Sequence, residues 1–382
     1  MKTLDAWIFG SWRISSEGLA LYRIFVSLMI LFFLMPPFSL YGYLGSLPSD
    51  LFSPPPGPMM LFNGFPSATT LQALHLLLIV SVMSLLLGYR TRFSSLITGL
   101  LMLTLKGFIY SVGKTNHDLM ISLVPLVFAF SNWGATWSID SLKRSRQAPG
   151  GESPCTKLSY TEQGWPLTLL SLFIGFMFFT AAFPKIIGGW LDPSTQATRG
   201  HFLNQYFPKE RTDLLADHFL LVENPFFWEL LDVATILFEA GFLLAIFHPV
   251  STRLFIGMAV LFHFSTMMMM NIAFLFNFIG YAAFLNWDRI RDGVVSVSVS
   301  AESWFRRESD RAASGSRWRA WLPPLLWGAG LCLIFGLLIE LDDLNLFVET
   351  SDLLTHQVIL VTLAVLIAVP SIFTEVRGLV EK

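Results

Sequence analysis

Charge is what this chain has little of. Asp, Glu, Lys and Arg make up 14% of its 382 residues, against 54% hydrophobic and 15% aromatic residues. A soluble globular domain carries roughly a quarter charged residues, so the composition excludes that class. The formal charge of −2 offers no basic surface for nucleic acid. Cysteine is scarce too. Cys155 and Cys332 stand far apart, without metal or redox spacing, and imply no disulfide framework. The first eighteen residues hold Lys2 and Arg13 but no apolar core before Leu19, and the following run carries Arg23 without a small-residue cleavage site. That pattern predicts a retained first span, not a removed signal peptide. No stretch reads as a soluble domain, an internal repeat or a low-complexity tract.

What the chain does have is long apolar runs. Ten are visible, at roughly 18–37, 69–88, 93–112, 117–133, 165–185, 227–247, 252–270, 271–287, 321–341 and 353–372. About 20 apolar residues cross a bilayer as a helix. The expected fold is therefore an all-α polytopic membrane protein, a bundle of about ten transmembrane helices. Cations divide the connections into two sets. Arg90, Arg92, Lys143, Arg144, Arg146, Lys157, Arg253, the arginines of 289–319 and the two tails place about eighteen on one side. The opposite set holds Lys114, Arg199, Lys209 and Arg211. The cation-rich side is expected to be cytoplasmic, with both termini there. The seventh and eighth runs are continuous, and this asymmetry requires a break near Asn271. Three divisions follow: a membrane domain over 1–292, a basic cytoplasmic loop over 293–320 and two further helices over 321–382. Of the outer loops, 38–68 is proline-rich and predicts a rigid lid, and Lys209 to Val222 reads as a short surface helix.

Ionisable residues inside spans cost several kcal/mol unless paired or hydrated, so each is informative. Lys185 closes the fifth run, before Gly188, Gly189 and Trp190. It is either an end charge that snorkels or an amine placed for chemistry. Asn116-His117-Asp118 opens the fourth run. It supplies a helix cap, or an imidazole at the level of Lys185 suited to acid–base work. His263 stands about 16 Å into the seventh run at 1.5 Å per residue, either as a satisfied core histidine or as a member of the same site. Around it, Phe262, Phe264, Met267 to Met270 and Phe274 form soft surfaces suited to helix packing or to an aromatic ring with an isoprenoid chain. Arg23 and Glu239 fall at similar depth and would most economically form a structural ion pair. Lys106 reads as a snorkelling end charge.

Together these motifs resemble the HTTM (horizontally transferred transmembrane) domain, the membrane half of vitamin K-dependent gamma-carboxylase and its bacterial relatives. The resemblance is carried by Ala20-Leu21-Tyr22-Arg23-Ile24, Leu87-Gly88-Tyr89-Arg90-Thr91-Arg92, Asn116-His117-Asp118 and Trp137-Ser138-Ile139-Asp140-Ser141-Leu142. It continues through Lys185-Ile186-Ile187-Gly188-Gly189-Trp190-Leu191 and Phe262-His263 to Trp287, covering most of 15–290.

The resemblance implies a membrane-embedded lyase. Lys185 would be the base, with His117 and His263 in the same outward-facing pocket, and with Asn116, Trp190, Phe183 and Met267 holding a lipid hydroquinone of the vitamin K or menaquinol type. The family chemistry it implies begins with a neutral lysine deprotonating the hydroquinone. Reaction with O2 then makes a base strong enough to take a glutamate gamma proton, and CO2 adds to the carbanion. The implied partners are the bilayer, the isoprenoid quinol and a secreted or membrane-proximal peptide; the implied location is a bacterial inner membrane. No segment reads as the large lumenal domain with which animal carboxylases hold their protein substrate, and Asp118 stands where they carry another residue. In architecture the chain is closer to short bacterial members that resemble maturation factors. A non-catalytic maturation or export factor, or a binding partner for a secreted peptide, is the alternative reading.

Overall fold

The computed structural model describes residues 2–113, 118–147, 164–292, 357–367 and 370, and among them every regular element is helical. In chain order these are α1 (Lys2–Gly10), α2 (Ser16–Met29, prolonged by a π turn over Ile30–Leu34), α3 (Phe38–Leu44), α4 (Ala68–Leu87) and α5 (Thr91–Tyr110). Then come α6 (Met120–Phe128), α7 (Ile139–Gln147), α8 (Trp165–Ile187), α9 (Ala197–Tyr206) and α10 (Ala216–Leu220). The series continues with α11 (Pro225–Ala245), α12 (Pro249–Met270) and α13 (Leu275–Tyr281), and a helix over Gln357–Ile367 follows.

Five of these are long and apolar enough to cross a membrane: Ser16–Leu34, α4, α5, α8 and α12. The chain is an all-α integral membrane protein. Its helices begin and end where local chemistry dictates. Ser15 and Ser67 accept the orphan N–H groups of Gly18 and Thr70 at the starts of α2 and α4. Gly88 and Asn271 close α4 and α12 in the left-handed region, at φ 66° and 53°.

The runs at 117–133 and 271–287 do not form helices of spanning length. The first yields only the nine residues of α6, which contain Pro125. The second stays non-helical after Asn271 until α13, seven residues long, followed by a 3₁₀ turn over Ala282–Phe284. The expected break near Asn271 is thus present. The run at 227–247 forms α11, of spanning length but bearing Glu229, Asp232 and Glu239. The run at 321–341 lies outside the described residues.

One end of the bundle is tied by polar contacts that unite three of the sequence motifs. Arg23 of α2 is fully buried, and its guanidinium donates to the carbonyls of Trp133 and Trp137, at 3.1 and 2.6 Å. The Asp140 carboxylate accepts from Arg90 N (2.9 Å), Thr91 N and Thr91 Oγ1 (both 2.8 Å), capping α5 from outside its own segment. Asp140 N in turn donates to Gly88 O at 3.1 Å. The Arg253 guanidinium at the start of α12 sits 5.3 Å from the Trp12 ring, which places that start at the same end.

Asp140 carries a pH prediction. Partial burial raises its pKa, but the bonds from Thr91 and Arg90, with the charge of Arg144, outweigh that and hold the group below its ordinary value. A lowered folded pKa contributes stability that is present above about pH 4 and disappears as pH falls through the folded value. Asp140→Ala is expected to lose about 1–2 kcal/mol at neutral pH. Below the folded pKa the gap from the parent should narrow, as measured by thermal unfolding across a pH series in detergent.

Candidate functional site

The opposite end is open. There α8, the loop after α8 with its helix α9, α11, α12, the segment leading into α13 and Asp118 ahead of α6 surround a cavity of about 1170 Å³. Its walls combine Phe238, Phe262, Phe274, Phe276, Met269 and Met270 with Lys185, Asp118 and Trp190, and its mouth carries Lys209, Glu210, Arg211 and Asp213.

Lys185 Nζ donates to both oxygens of Glu239, the lysine side chain 23% and the glutamate 4% exposed. The helix stop sets the next contact. Gly188 N closes on Pro184 O at 2.8 Å, Gly189 turns at φ 83°, and Trp190 N returns to Lys185 O at 3.1 Å. That turn brings the Trp190 ring within 5.2 Å of Lys185 Nζ and against His201, centroids 5.3 Å apart.

The expected Arg23–Glu239 pair is therefore corrected. Arg23 is satisfied by backbone carbonyls at the tied end, and Glu239 binds Lys185 at the other. The reason is helix register. Glu239 is about 21 Å of helix below the start of α11 at 1.5 Å per residue, whereas Lys185 is two residues from the end of α8. For the two to meet, α11 must project past α8. The projecting turns are covered by α9, whose first N–H groups, Ala197 N and Thr198 N, donate to Asp232 at 2.7 Å each. Gln196 N donates to Glu229 at 3.2 Å. The outer carboxylates of α11 thus fasten the loop that roofs the cavity. The surface helix predicted over Lys209 to Val222 is shorter, only α10, and the principal helix of this loop is α9.

The other sequence candidates divide. Lys185 and Trp190 line the cavity. Asn116 and His117 lie outside the described residues. His263 is buried one layer behind the wall, Nε2 2.9 Å from Tyr281 Oη, its ring stacked 4.4 Å from Phe274, which does line the cavity. Phe183, 54% exposed, and Met267, 0% exposed, are not among the lining residues; Met269 and Met270 are. Proline loop 38–68 does not line the cavity. It seats Met59 against Gly107 and bonds Ser53 N to Ser111 O at 2.7 Å, covering the end of α5.

Two features escaped the sequence reading. One is Glu239 as the partner of Lys185. The other is a buried cluster in which Lys106 and Tyr110 both donate to Asp118, with Lys106 Nζ 4.2 Å from the centre of the Phe276 ring. Lys106 and Tyr110 are four residues apart on α5, one turn, so they share a face. That spacing was the one available signal. No group of three or more His, Cys, Asp or Glu that could hold a metal occurs among the described residues.

An all-helical membrane protein with a carboxylate-paired lysine in the wall of a large cavity of mixed polar and aromatic lining is the class these observations define. The chain belongs to the HTTM domain family, whose sequence model matches residues 16–285. Comparison with curated proteins and with solved structures finds no match to it.

Proposed function

We propose that this protein is a gamma-carboxylase-like membrane enzyme that binds a lipid hydroquinone in the cavity and modifies a peptide at the extracytoplasmic face. The observation that carries the reading is the placement of Lys185, paired with the buried Glu239 behind it, in the wall of a cavity that also carries aromatic and methionine side chains. Such a wall suits a flat ring with an isoprenoid tail, and the volume accommodates both. When bound, the hydroquinone supplies electrons with which O2 becomes a base able to take a carbon-bound proton.

The protein's own part begins with the pair. As a unit it is neutral whether its proton rests on Lys185 Nζ or on Glu239. The amine can therefore stand uncharged without leaving net charge in an apolar site. Uncharged, Nζ accepts a hydroxyl proton. The pair then becomes cationic and opposes the negative charge left behind. Trp190 covers one side of Nζ, and Phe238 and Phe262 stand in the same wall. In the bilayer we place the cation-rich connections and both termini at the cytoplasmic face, so that the cavity opens outward.

Short-chain menaquinol offered to the purified protein should give O2 uptake above autoxidation. Lys185→Met combined with Glu239→Gln should lower it about 100-fold or more, in the range of a lost general base. Mass analysis of extracted lipid should find a co-purifying quinone. Only bulk phospholipid, together with no quinol-dependent uptake, would overturn the proposal in favour of a non-catalytic maturation partner.

A further inference from the structure

The Lys106–Asp118–Tyr110 cluster stands on the same cavity and takes no part in the pairing of Lys185 with Glu239. Asp118 lines the cavity, while its two oxygens accept from Lys106 Nζ and Tyr110 Oη; all three residues are buried. A carboxylate offers about four acceptor positions. These bonds occupy one on each oxygen, leaving capacity on a residue the cavity touches, beside the apolar Phe274 and Phe276. Stability alone does not call for the arrangement, because a buried ion pair is commonly no better than apolar residues of the same volume. What the pair provides is a negatively charged acceptor held in place beside the apolar Phe274 and Phe276. Lys106 balances its charge, and Tyr110 fixes its orientation.

We propose that Asp118 is the acceptor for the second hydroxyl of the ring bound in this cavity, and that it selects the reduced ring over the oxidised one. The proposal rests on the ring-binding reading above. A hydroquinone has two O–H donors, one for the Lys185–Glu239 pair and one for Asp118. A quinone has carbonyls only, and a carbonyl against the buried Asp118 sets two acceptors against each other. Losing a hydrogen bond to a charged group there corresponds to about tenfold or more in affinity. Lys106 and Tyr110 are positioning residues, since they act through Asp118.

The test is oxygen-free equilibrium binding of naphthohydroquinone, its monomethyl and dimethyl ethers, and naphthoquinone to the full-length protein in detergent. Wild type should bind the hydroquinone about tenfold or more tighter than the quinone. Affinity should fall stepwise through the two ethers. Lys106→Met combined with Asp118→Leu removes both charges together and should cut the preference about tenfold or more while quinone affinity holds or rises. A preference undiminished in this variant overturns the assignment. So does a wild type that binds hydroquinone and quinone equally, and that comparison needs no variant to fold. If none of the four ring compounds binds wild type, the ring-binding reading itself fails and this one fails with it.

Discussion

Glu239→Ala and Lys185→Ala are each expected to destabilise the protein by about 3–5 kcal/mol, more than the loss of both residues together. The Glu239 side chain is 4% exposed and its partner 23%. Deleting one member of a buried pair leaves the other charged without compensation, at a cost of about 3–5 kcal/mol. Replacing both with apolar residues of similar size, Lys185→Met with Glu239→Leu, removes the desolvation penalty along with the attraction. That double variant is expected within about 1 kcal/mol of the parent, or above it. Thermal unfolding of the four proteins in one detergent measures the cycle. Additive losses would mean that the amine and the carboxylate do not interact, and the pairing on which the proposed chemistry rests would be gone. The cycle also governs how activity is read. A single Lys185 variant confounds lost chemistry with lost folding, so the decisive activity measurement belongs to a double variant that retains the fold.

Gly88→Ala should be strongly disruptive at the other end of the bundle. Gly88 sits at φ 66°, a conformation that costs an L-residue about 1–2 kcal/mol. A Cβ there would stand 2.3 Å from Ser138 Cβ, 2.6 Å from Arg23 Nη1 and 2.9 Å from the backbone Cα of Ser138. Overpacking of that kind adds about 1–3 kcal/mol, and it falls on the guanidinium that Trp133 and Trp137 hold. The combined loss is expected at about 2–5 kcal/mol. Gly200→Ala is the matched control. It lies inside α9 with nothing within 4 Å of its would-be Cβ, and is expected to be neutral or stabilising by up to about 1 kcal/mol. Equal melting temperatures for the two variants would remove the case for a close-packed turn at this end.

These results explain why some motifs were legible and others were misjudged. The turn at Gly88 to Arg92 and the segment at Trp137 to Leu142 were recognisable as a set, but their work is structural. Asp140, Gly88 and Arg23 are one network binding α2, the α4–α5 turn and α7. The Lys185 to Trp190 segment marked the cavity because a helix stop, a lysine and a tryptophan in close succession leave few arrangements. Phe183 and Met267 were assigned to the ring on residue type, and type does not say which face of a helix looks inward. Glu239 was assigned to Arg23 by counting depth from helix ends, and that count fails when a helix continues beyond its neighbour.

Sequence alone determined where most of the apolar helices run and which lysine lines the cavity of a fold of this family, because hydrophobic length and a helix stop are local properties. Tertiary structure decided that 117–133 and 271–287 do not make span-length helices, that α11 projects beyond α8 so that Glu239 meets Lys185, and that Lys185 and Asp118 face one cavity. Each of those depends on the axial offset between helices far apart in the chain, which is set by packing across the whole bundle.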